Sequence, residues 1–501
     1  MARRAIFKNT TLSVIPRLIN LLIGFFSRKL IIQFVAVEYL GLSSLYANLL
    51  DLLNLSELGI GVAIQVRLYS PLVNGEDEKV ANLVSIAQKL YTIIGFVVLF
   101  LGFASVFFLQ YIIKDNPFEI WYVNTAYLVT VTGIAFSYFC AGKRLYFESN
   151  ESYYLIMISD LFAKVLLYVV ALTTLYFTRE YLTYATIVAF QAFVSNMALS
   201  IVYRKKCKNL LDFTKDAKFR QSEMLMIRKN LKDVVPMKIG VFAFASTDSI
   251  IISSFLGLTL VAIYANYSMI FLNLLSMSTI ASNSLVSTFG KMEKELDNKE
   301  ELLKRYKVYE NLQFMFSSCT TVCVLLLVDK FMFIWLGDGF YIGTLSVLLF
   351  SFDYYIHSYF QPLSTLYTST GKFKEDKICS LVAAGLNVGL SLIFVGFLGV
   401  EGVILGTLIA NVFTFVVRTI IINVKYFNRN KLKVIIKPIL QLIVCVAECI
   451  VCYLIIKNIK IDKPILDFLL CGVICIVVTN IFNLLYAIKL GYHRKFLKRR
   501  G

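Results

Sequence analysis

Four basic residues of this sequence lie inside or near the ends of long apolar segments. Arg28 stands midway along the first segment, and Arg67, Lys164 and Arg418 occupy later ones. A charge within a membrane helix is costly and normally faces a bundle interior or a water-filled cavity. Arginine also offers a planar fork of donors that suits phosphate groups. We therefore predict that these cations bind an anionic group.

Two of the four cations have simpler structural interpretations. For Arg67 the alternative is that the side chain extends to the inner membrane surface. Lys164 stands four residues after Asp160, and this spacing places both on one helix face and favours an ion pair. The sequence leaves both alternatives open.

Three residues are candidates for ion coupling, namely Asp160, Asp353 and His357. Asp353 and His357 are four residues apart, on one face of a predicted helix. A carboxylate beside a histidine can relay a proton, since histidine titrates near neutrality. The alternative is a buried hydrogen-bonded pair with no role in transport.

The whole chain has the composition of a membrane protein. Of its 501 residues, 58% are hydrophobic and 16% are charged, whereas a soluble domain has about 25% charged residues. Apolar runs long enough to cross a bilayer recur along the chain, and backbone groups in lipid must be paired within helices. These features predict an all-α polytopic membrane protein.

The hydrophobic pattern predicts about fourteen transmembrane helices. They form two six-helix lobes, related by a pseudo-two-fold axis along the membrane normal, and two C-terminal helices. The spans are predicted at about 11–36, 41–69, 83–110, 119–141, 153–177, 181–203, 234–256, 259–289, 308–328, 341–369, 378–398, 403–424, 434–456 and 464–488. The predicted regions are an N-lobe at 1–203, a basic amphipathic cytoplasmic linker at 204–233, a C-lobe at 234–425, and helices thirteen and fourteen with a basic tail at 426–501.

A short internal repeat supports the two-lobe arrangement. Ile263–Asn266 matches Leu45–Asn48, and Phe255–Leu258 precedes it as Tyr39–Leu42 precedes the first copy. Internal repeats of this kind are common in secondary transporters. A central cavity between the two lobes would follow.

Basic residues are concentrated on one side of the predicted membrane. The net charge is +18, and nearly all Lys and Arg of the loops fall on the side of both termini. The positive-inside rule therefore places both termini in the cytoplasm. Because the charge follows the membrane topology, it gives no support to nucleic acid as a partner.

Sequence signatures of enzymes and of metal sites are missing. There is no Gly-x-x-x-x-Gly-Lys-Ser/Thr loop, no pair of aspartates two residues apart and no long predicted outer loop. Cys445, Cys449 and Cys452 share a helix face, but their position inside a span favours packing over a metal or redox site. We predict no enzymatic activity, no catalytic residues, no metal and no cofactor.

Motifs along nearly the whole chain resemble a known superfamily. In chain order they are Tyr39-Leu-Gly-Leu42, Leu55-Ser-Glu-Leu-Gly-Ile-Gly61, Thr247-Asp-Ser-Ile-Ile-Ile252 with Phe255-Leu-Gly257, and Gly399-Val-Glu-Gly402. Together with the six-plus-six-plus-two pattern of spans, they are similar to the MOP superfamily. Within it, the chain most resembles the Wzx-type polysaccharide flippases of bacterial capsule and O-antigen pathways.

This resemblance implies a function and its setting. The substrate would be an oligosaccharide repeat unit on undecaprenyl pyrophosphate, moved from the inner to the outer leaflet. Two lobes would alternate in access around a cationic cavity, in a bacterial cytoplasmic membrane. Membrane lipids and the polysaccharide polymerase and glycosyltransferases of the same pathway are the expected partners.

The resemblance also implies roles for particular residues. Sugar hydroxyls need hydrogen-bond partners, so the polar candidates for substrate contact are Tyr46, Asn48, Asp248, Tyr264 and Asn266. In MurJ-type lipid II flippases, a first-span arginine lines a cationic cavity, and Arg28 matches that position. Those chains carry a further arginine where this one has Leu22, and this departure argues against lipid II as the substrate.

Two transport alternatives stay open at this point. A MATE-like multidrug or cation antiporter would need an acid-rich cavity, whereas the best-placed charge of the first span is Arg28. A lipid II flippase is the less favoured alternative. Coupling to H⁺ or Na⁺ is undecided, and so is the sugar composition of the substrate.

Overall fold

The structure is a computed structural model that describes residues 2–53, 60–150, 152–207, 246–295, 299–370, 373–459 and 461–489. These residues are almost entirely helical, and no strand occurs among them. The prediction of an all-α polytopic membrane protein is confirmed. Most of the predicted basic linker at 204–233, and the basic tail from residue 490 onwards, lie outside the described residues.

The chain divides into two compact units, Met1–Ala262 and Ile263–Gly501. The helices that begin in the first unit are α1 (Ala2–Phe34), α2 (Val37–Leu53), α3 (Ile60–Asn74), α4 (Asp77–Ile112), α5 (Ile120–Tyr138), α6 (Arg144–Ser149), α7 (Tyr153–Thr178), α8 (Tyr181–Ala189), α9 (Gln191–Lys206), α10 (246–256) and α11 (Leu258–Glu295). The remaining helices are α12 (Lys299–Leu336), α13 (Thr344–Tyr359), α14 (Gln361–Thr370), α15 (Phe373–Leu398), α16 (Val400–Thr419), α17 (Lys431–Ile456) and α18 (Pro464–Lys489). The lobe boundaries predicted around 204–233 stay a prediction, because that segment is largely undescribed.

Nine helices of the described part are long and apolar enough to cross a membrane, or ten if α5 and α6 form one bent span. The other predicted spans are not among these long apolar helices. The first is α1, the second is divided between α2 and α3, and the tenth is divided between α13 and α14. The seventh, at 234–256, is described only from residue 246.

Local sequence explains where some of these helices end. Helix α13 stops at Tyr359 and α14 begins at Gln361, next to Pro362, which has no backbone N–H to continue the hydrogen-bond ladder. Between α15 and α16 the chain turns at Gly399 with φ of 62°, a backbone region that glycine adopts readily. Asn430 caps α17, since its side-chain oxygen accepts hydrogen bonds from the backbone N–H groups of Leu432 and Lys433.

In the first unit, α1 packs against α7, and α7 packs against α8 and α9. The apolar core between α1, α7 and α8 contains Ile31, Ala171, Leu175 and Tyr184. This packing fixes the face of α1 that carries Ile31, and Arg28 lies almost one turn before Ile31 on that face. The positions of α7 and α8 therefore determine what surrounds Arg28.

In the second unit, α12 packs against α13, α17 and α18, and α15 packs against α16. Glycine allows the close contact of the last pair, since a Cβ on Gly402 would lie 2.4 Å from the Phe394 carbonyl oxygen. Helix α16 also packs against α13. These contacts bring the polar residues of α13 and α16 together.

Candidate functional site

Arg28 lies half-buried where α1 meets α7 and α8. The hydroxyls of Tyr168 on α7 and Tyr184 on α8 are within electrostatic range of its guanidinium group. Tyr184 is buried, and its ring contacts that of Tyr168 edge-on with centroids 6.4 Å apart. Two phenol groups from two different helices thus lie near the charge of Arg28.

Lys164 joins the same group of side chains from α7. Its ammonium nitrogen lies 5.5 Å from the centroid of the Tyr168 ring, within the range of a cation–π contact. Since Lys164 and Tyr168 are four residues apart, the helix itself places them side by side. We call Arg28, Lys164, Tyr168 and Tyr184 the cation–tyrosine cluster.

The cation–tyrosine cluster combines two positive charges with two neutral hydroxyl groups. Guanidinium and ammonium groups bind phosphate oxygens, and phenol hydroxyls can donate further hydrogen bonds to them. A charge interaction is stronger in a partly buried site than in water. The cluster therefore has the chemistry to bind a phosphate or pyrophosphate group.

Asp160 is paired with Arg144 instead of Lys164. The two terminal nitrogens of Arg144 lie 3.0 Å from Asp160 Oδ1 and 2.8 Å from Asp160 Oδ2. The Ser195 hydroxyl donates to Asp160 Oδ1 at 2.5 Å, and Asn196 accepts from Arg144 at 3.4 Å. The ion pair of Asp160 with Lys164, which the sequence spacing favoured, does not form among the described residues. A role of Asp160 in ion coupling stays a prediction.

In the second unit, Asp353 and His357 meet Asn411 of α16. His357 Nδ1 lies 3.4 Å from Asp353 Oδ2, and Asn411 Nδ2 donates to Asp353 Oδ1 at 2.6 Å. The same Asn411 nitrogen lies 3.4 Å from His357 Nδ1. We call these three residues the acid–histidine cluster. Its geometry allows a proton to be exchanged between carboxylate and imidazole.

Arg418 follows Asn411 by about two turns on α16. Its guanidinium carbon lies 5.4 Å from the ring centroid of Phe360 and 5.7 Å from that of Tyr367. One terminal nitrogen donates to the Ser380 hydroxyl at 3.4 Å. Arg418 thus also contacts aromatic rings, within electrostatic range of His357.

The other predicted site residues are distributed over both units. In the first, the buried Tyr46 donates to the Val123 carbonyl at 2.7 Å, and Asn48 donates to Ser249 Oγ at 3.0 Å. Asp248 is buried beside Ser249, and Arg67 is half-buried on α3. In the second unit, Tyr264 and Asn266 are buried on α11. Their roles as substrate contacts stay predictions.

Sequence reasoning missed Tyr168, Tyr184 and Asn411. The spacing of Lys164 and Tyr168 was a visible signal. Tyr184 and Asn411 reach their clusters only through the packing of α8 and α16, and no local pattern indicated them. Among the described residues, no group of three or more His, Cys, Asp or Glu side chains is arranged to hold a metal ion.

Comparison with known proteins identifies the fold. No protein-family model and no curated protein match this sequence. The structure of the lipid II flippase MurJ in an inward-closed conformation matches with a TM-score of 0.70 at 14% identity, over 96% of this chain and 99% of that chain. An inward-facing MATE-family multidrug transporter of the MOP superfamily gives 0.64 at 16% identity, over 80% and 92%. A Vibrio cholerae MATE transporter, VcmN, gives 0.60 at 13% identity, over 85% and 98%. This chain has the fold of MOP-superfamily transporters.

Proposed function

We propose that this protein is a flippase that moves undecaprenyl-pyrophosphate-linked oligosaccharide repeat units from the inner to the outer leaflet. The observation that carries the proposal is the cation–tyrosine cluster, in which Arg28 and Lys164 adjoin Tyr168. The product would serve capsule, O-antigen or another surface polysaccharide. The setting would be a bacterial cytoplasmic membrane, with both termini in the cytoplasm.

The chemistry of the cluster suits a pyrophosphate better than a cation. The hydroxyl groups of the tyrosines near Arg28 are neutral, so they stabilise the guanidinium group without cancelling its charge. A pyrophosphate brings several negatively charged oxygens, which the fork of an arginine and a lysine ammonium group can contact together. The sugar-pyrophosphate head cannot enter hydrocarbon unaided, because burial of an unpaired charge costs many kcal/mol. A cationic polar site lowers that cost.

The structural likeness to a lipid II flippase supports a lipid-linked substrate. Lipid II itself is the less favoured substrate, because Leu22 stands where MurJ-type chains carry a second first-span arginine. In this structure the Leu22 side chain is exposed and apolar. The polysaccharide polymerase and glycosyltransferases of the same pathway would then be the functional partners.

The test is translocation in proteoliposomes. An undecaprenyl-pyrophosphate oligosaccharide is incorporated, and a membrane-impermeant probe measures the sugar that reaches the opposite leaflet. Arg28→Ala should lower the rate about tenfold to a hundredfold, because a hydrogen bond to a charged group is worth roughly 1.5–3 kcal/mol. Arg28→Lys should retain part of the rate, since the charge stays and the fork is lost.

Arg179→Ala is the matched control. Arg179 also lies over an aromatic ring, 4.6 Å from the centroid of Phe34, but it is exposed at the end of α7. Its replacement should leave the rate unchanged. An Arg28→Ala variant that is correctly inserted and translocates at the normal rate would rule out the cationic site.

The second candidate is a MATE-like cation or multidrug antiporter. The acid–histidine cluster favours it, since Asp353 could exchange a proton for a cation. The same liposomes, loaded with a cationic dye and given a pH gradient, would test it. Dye expulsion that is lost in Asp353→Asn, without any translocation of the lipid-linked sugar, would assign the protein to this second class.

A further inference from the structure

Helices α12, α17 and α18 pack together in the second unit, and ion pairs connect them at both ends. At one end, Lys437 of α17 pairs with Glu310 of α12 at 2.5 Å. At the other end, Lys330 of α12 pairs with Asp467 of α18 at 2.5 Å. Each of these carboxylates therefore has a cation beside it.

Glu448 of α17 lies between these two ends and has a different environment. The side chain has no exposed surface, and neither carboxyl oxygen has a partner within hydrogen-bonding geometry among the described residues. Ser318 of α12 faces Glu448. Along the axis of α12, Ser318 lies about 12 Å from Glu310 and about 18 Å from Lys330. No described Lys or Arg forms an ion pair with it.

The groups that face Glu448 from every packed element are hydroxyls and thiols. They are Ser318 and Cys319 of α12, Tyr355 of α13, and Cys445, Cys449 and Cys452 of α17. From α18, Cys475 contacts the same sulfur-rich layer. The Tyr355 hydroxyl is itself buried without a hydrogen-bond partner in the described part of the chain. Two polar groups without hydrogen-bond partners among the residues described thus lie within electrostatic range of each other in a sulfur-rich, largely apolar layer.

An ionised carboxylate in such a place would be very unfavourable. Moving an isolated charge into an apolar medium costs tens of kcal/mol in the limit, and buried carboxyl groups take up a proton instead. Lysine pairs avoid this cost for Glu310 and Asp467, but nothing comparable adjoins Glu448. A neutral carboxylic acid carries no charge, so it avoids most of this cost.

We propose that Glu448 is a proton-binding site in the middle of the α12–α17–α18 bundle. It holds a proton while the bundle is packed as in this structure. It releases the proton when movement of α17 brings the carboxyl group to water. This role rests on the proposed transport function, and it would make the transport cycle proton-dependent at a place separate from Asp160, Asp353 and His357.

The first test does not require transport. N,N′-Dicyclohexylcarbodiimide is an apolar reagent that modifies protonated carboxyl groups within membranes. The carboxyl proton moves to one nitrogen and the carboxyl oxygen bonds to the central carbon; an acyl shift to nitrogen then gives a stable N-acylurea, and no atom is lost. The full-length protein in lipid vesicles should gain one reagent mass on the peptide that contains Glu448, as measured by mass spectrometry.

Two internal controls are present in the same chain. Glu310 and Asp467 are also in the bundle but are paired with lysine, so we expect at least tenfold less labelling on each. A water-soluble carbodiimide should reverse this preference. Equal labelling of the three carboxyl groups, or no adduct on Glu448, would overturn the proposal without bearing on the flippase function.

The second test addresses coupling. Glu448→Gln keeps a neutral side chain of similar size, so the protein should fold, and its translocation rate should lose the pH dependence of the wild type. If Glu448 is labelled but the variant keeps the wild-type pH profile, the coupling role is wrong. If Arg28→Ala also translocates normally while labelling occurs as expected, the flippase proposal fails and the proton site stands.

Discussion

In the first unit, tyrosine side chains lie near Arg28 and Lys164, whereas in the second unit Asp353 and His357 contact each other and the amide of Asn411. Both clusters place ionisable groups between helices of a membrane protein. They differ in how the charge is balanced. A phenol group stabilises a cation without neutralising it, while a carboxylate beside a protonated imidazole cancels its charge.

This difference indicates different uses for the two clusters. The field of a cation near neutral groups extends to an incoming ligand, and in a partly buried site it is weakly screened. An acid–histidine pair satisfies itself and changes charge when a proton binds or leaves. The first cluster is therefore suited to an anion, and the second to a proton.

A second contrast lies within the first unit. Arg144 is bound through its fork to Asp160 and also lies 3.4 Å from Glu148. Polar networks of this kind, here partly exposed, connect helices, in this case α6, α7 and α9. The unit thus contains one arginine in a carboxylate network and another, Arg28, beside tyrosines.

The largest expected effect is that of charge reversal at Arg28. Arg28→Glu should lower translocation of the pyrophosphate-linked sugar by about a hundredfold or more, because like charges brought together cost several kcal/mol. The initial rate in proteoliposomes measures it. Arg179→Glu reverses the charge of an exposed arginine over Phe34 and should have little effect. Equal losses in the two variants would show a general effect of surface charge instead of a site.

The contrast between the two arginines predicts different effects on stability. Arg144→Ala should lower the free energy of unfolding by roughly 1.5–3 kcal/mol, since Asp160 loses two charge-assisted hydrogen bonds. Thermal denaturation in detergent measures it, with Arg28→Ala as the matched comparison. Arg28→Ala should reduce translocation while its melting temperature stays near that of the wild type. A larger loss of stability in Arg28→Ala than in Arg144→Ala would reverse our assignment of roles.

Much of the fold was predictable from the sequence because membrane helices are encoded locally. Long apolar runs and the charge of the loops predicted an all-α polytopic protein, and the described helices agree. Helix breaks were less visible. The division of α13 from α14 has a local signal in Pro362, but the predicted span at 341–369 ran across it.

The candidate site was predictable only in part. Arg28 stood out because a charge in an apolar segment is rare, and Lys164 for the same reason. The alternative that the sequence left open for Lys164 was a pair with Asp160, yet Arg144 binds Asp160 through the packing of α6 against α7. A bidentate arginine outcompetes a lysine on the same helix face, and this choice depends on tertiary contacts. The positions of Tyr184 and Asn411 likewise depend on tertiary contacts.

A smaller effect is expected from Asn411 in the second unit. Asn411→Ala removes the hydrogen bond to Asp353 Oδ1 at 2.6 Å, so the unfolding free energy should fall by about 1–2 kcal/mol. Thermal denaturation measures this loss. Asn480→Ala is the control, since that exposed amide donates to the Ile476 carbonyl of its own helix. A pH profile of translocation that is unchanged in Asn411→Ala would argue against proton exchange in this cluster.

The smallest effect concerns the hydroxyl of Tyr168. Tyr168→Phe keeps the ring, so the cation–π contact with Lys164 at 5.5 Å remains. The variant loses one hydroxyl near Arg28, and a net hydrogen bond is worth about 1 kcal/mol. We therefore expect the translocation rate to fall about fivefold, and Tyr168→Ala to lower it further because the ring is lost too.

Tyr176→Phe is the matched control for that measurement. Tyr176 lies two turns further along α7 and packs its ring against Phe34 with centroids 5.5 Å apart, away from the two cations of the cluster. Its hydroxyl should be dispensable. If Tyr168→Phe and Tyr176→Phe both translocate at the wild-type rate, the tyrosine contributes only its ring, and the anion is bound by the cations alone. If both are impaired equally, α7 acts through packing, and the difference between the two units would then rest on Arg28 and Lys164.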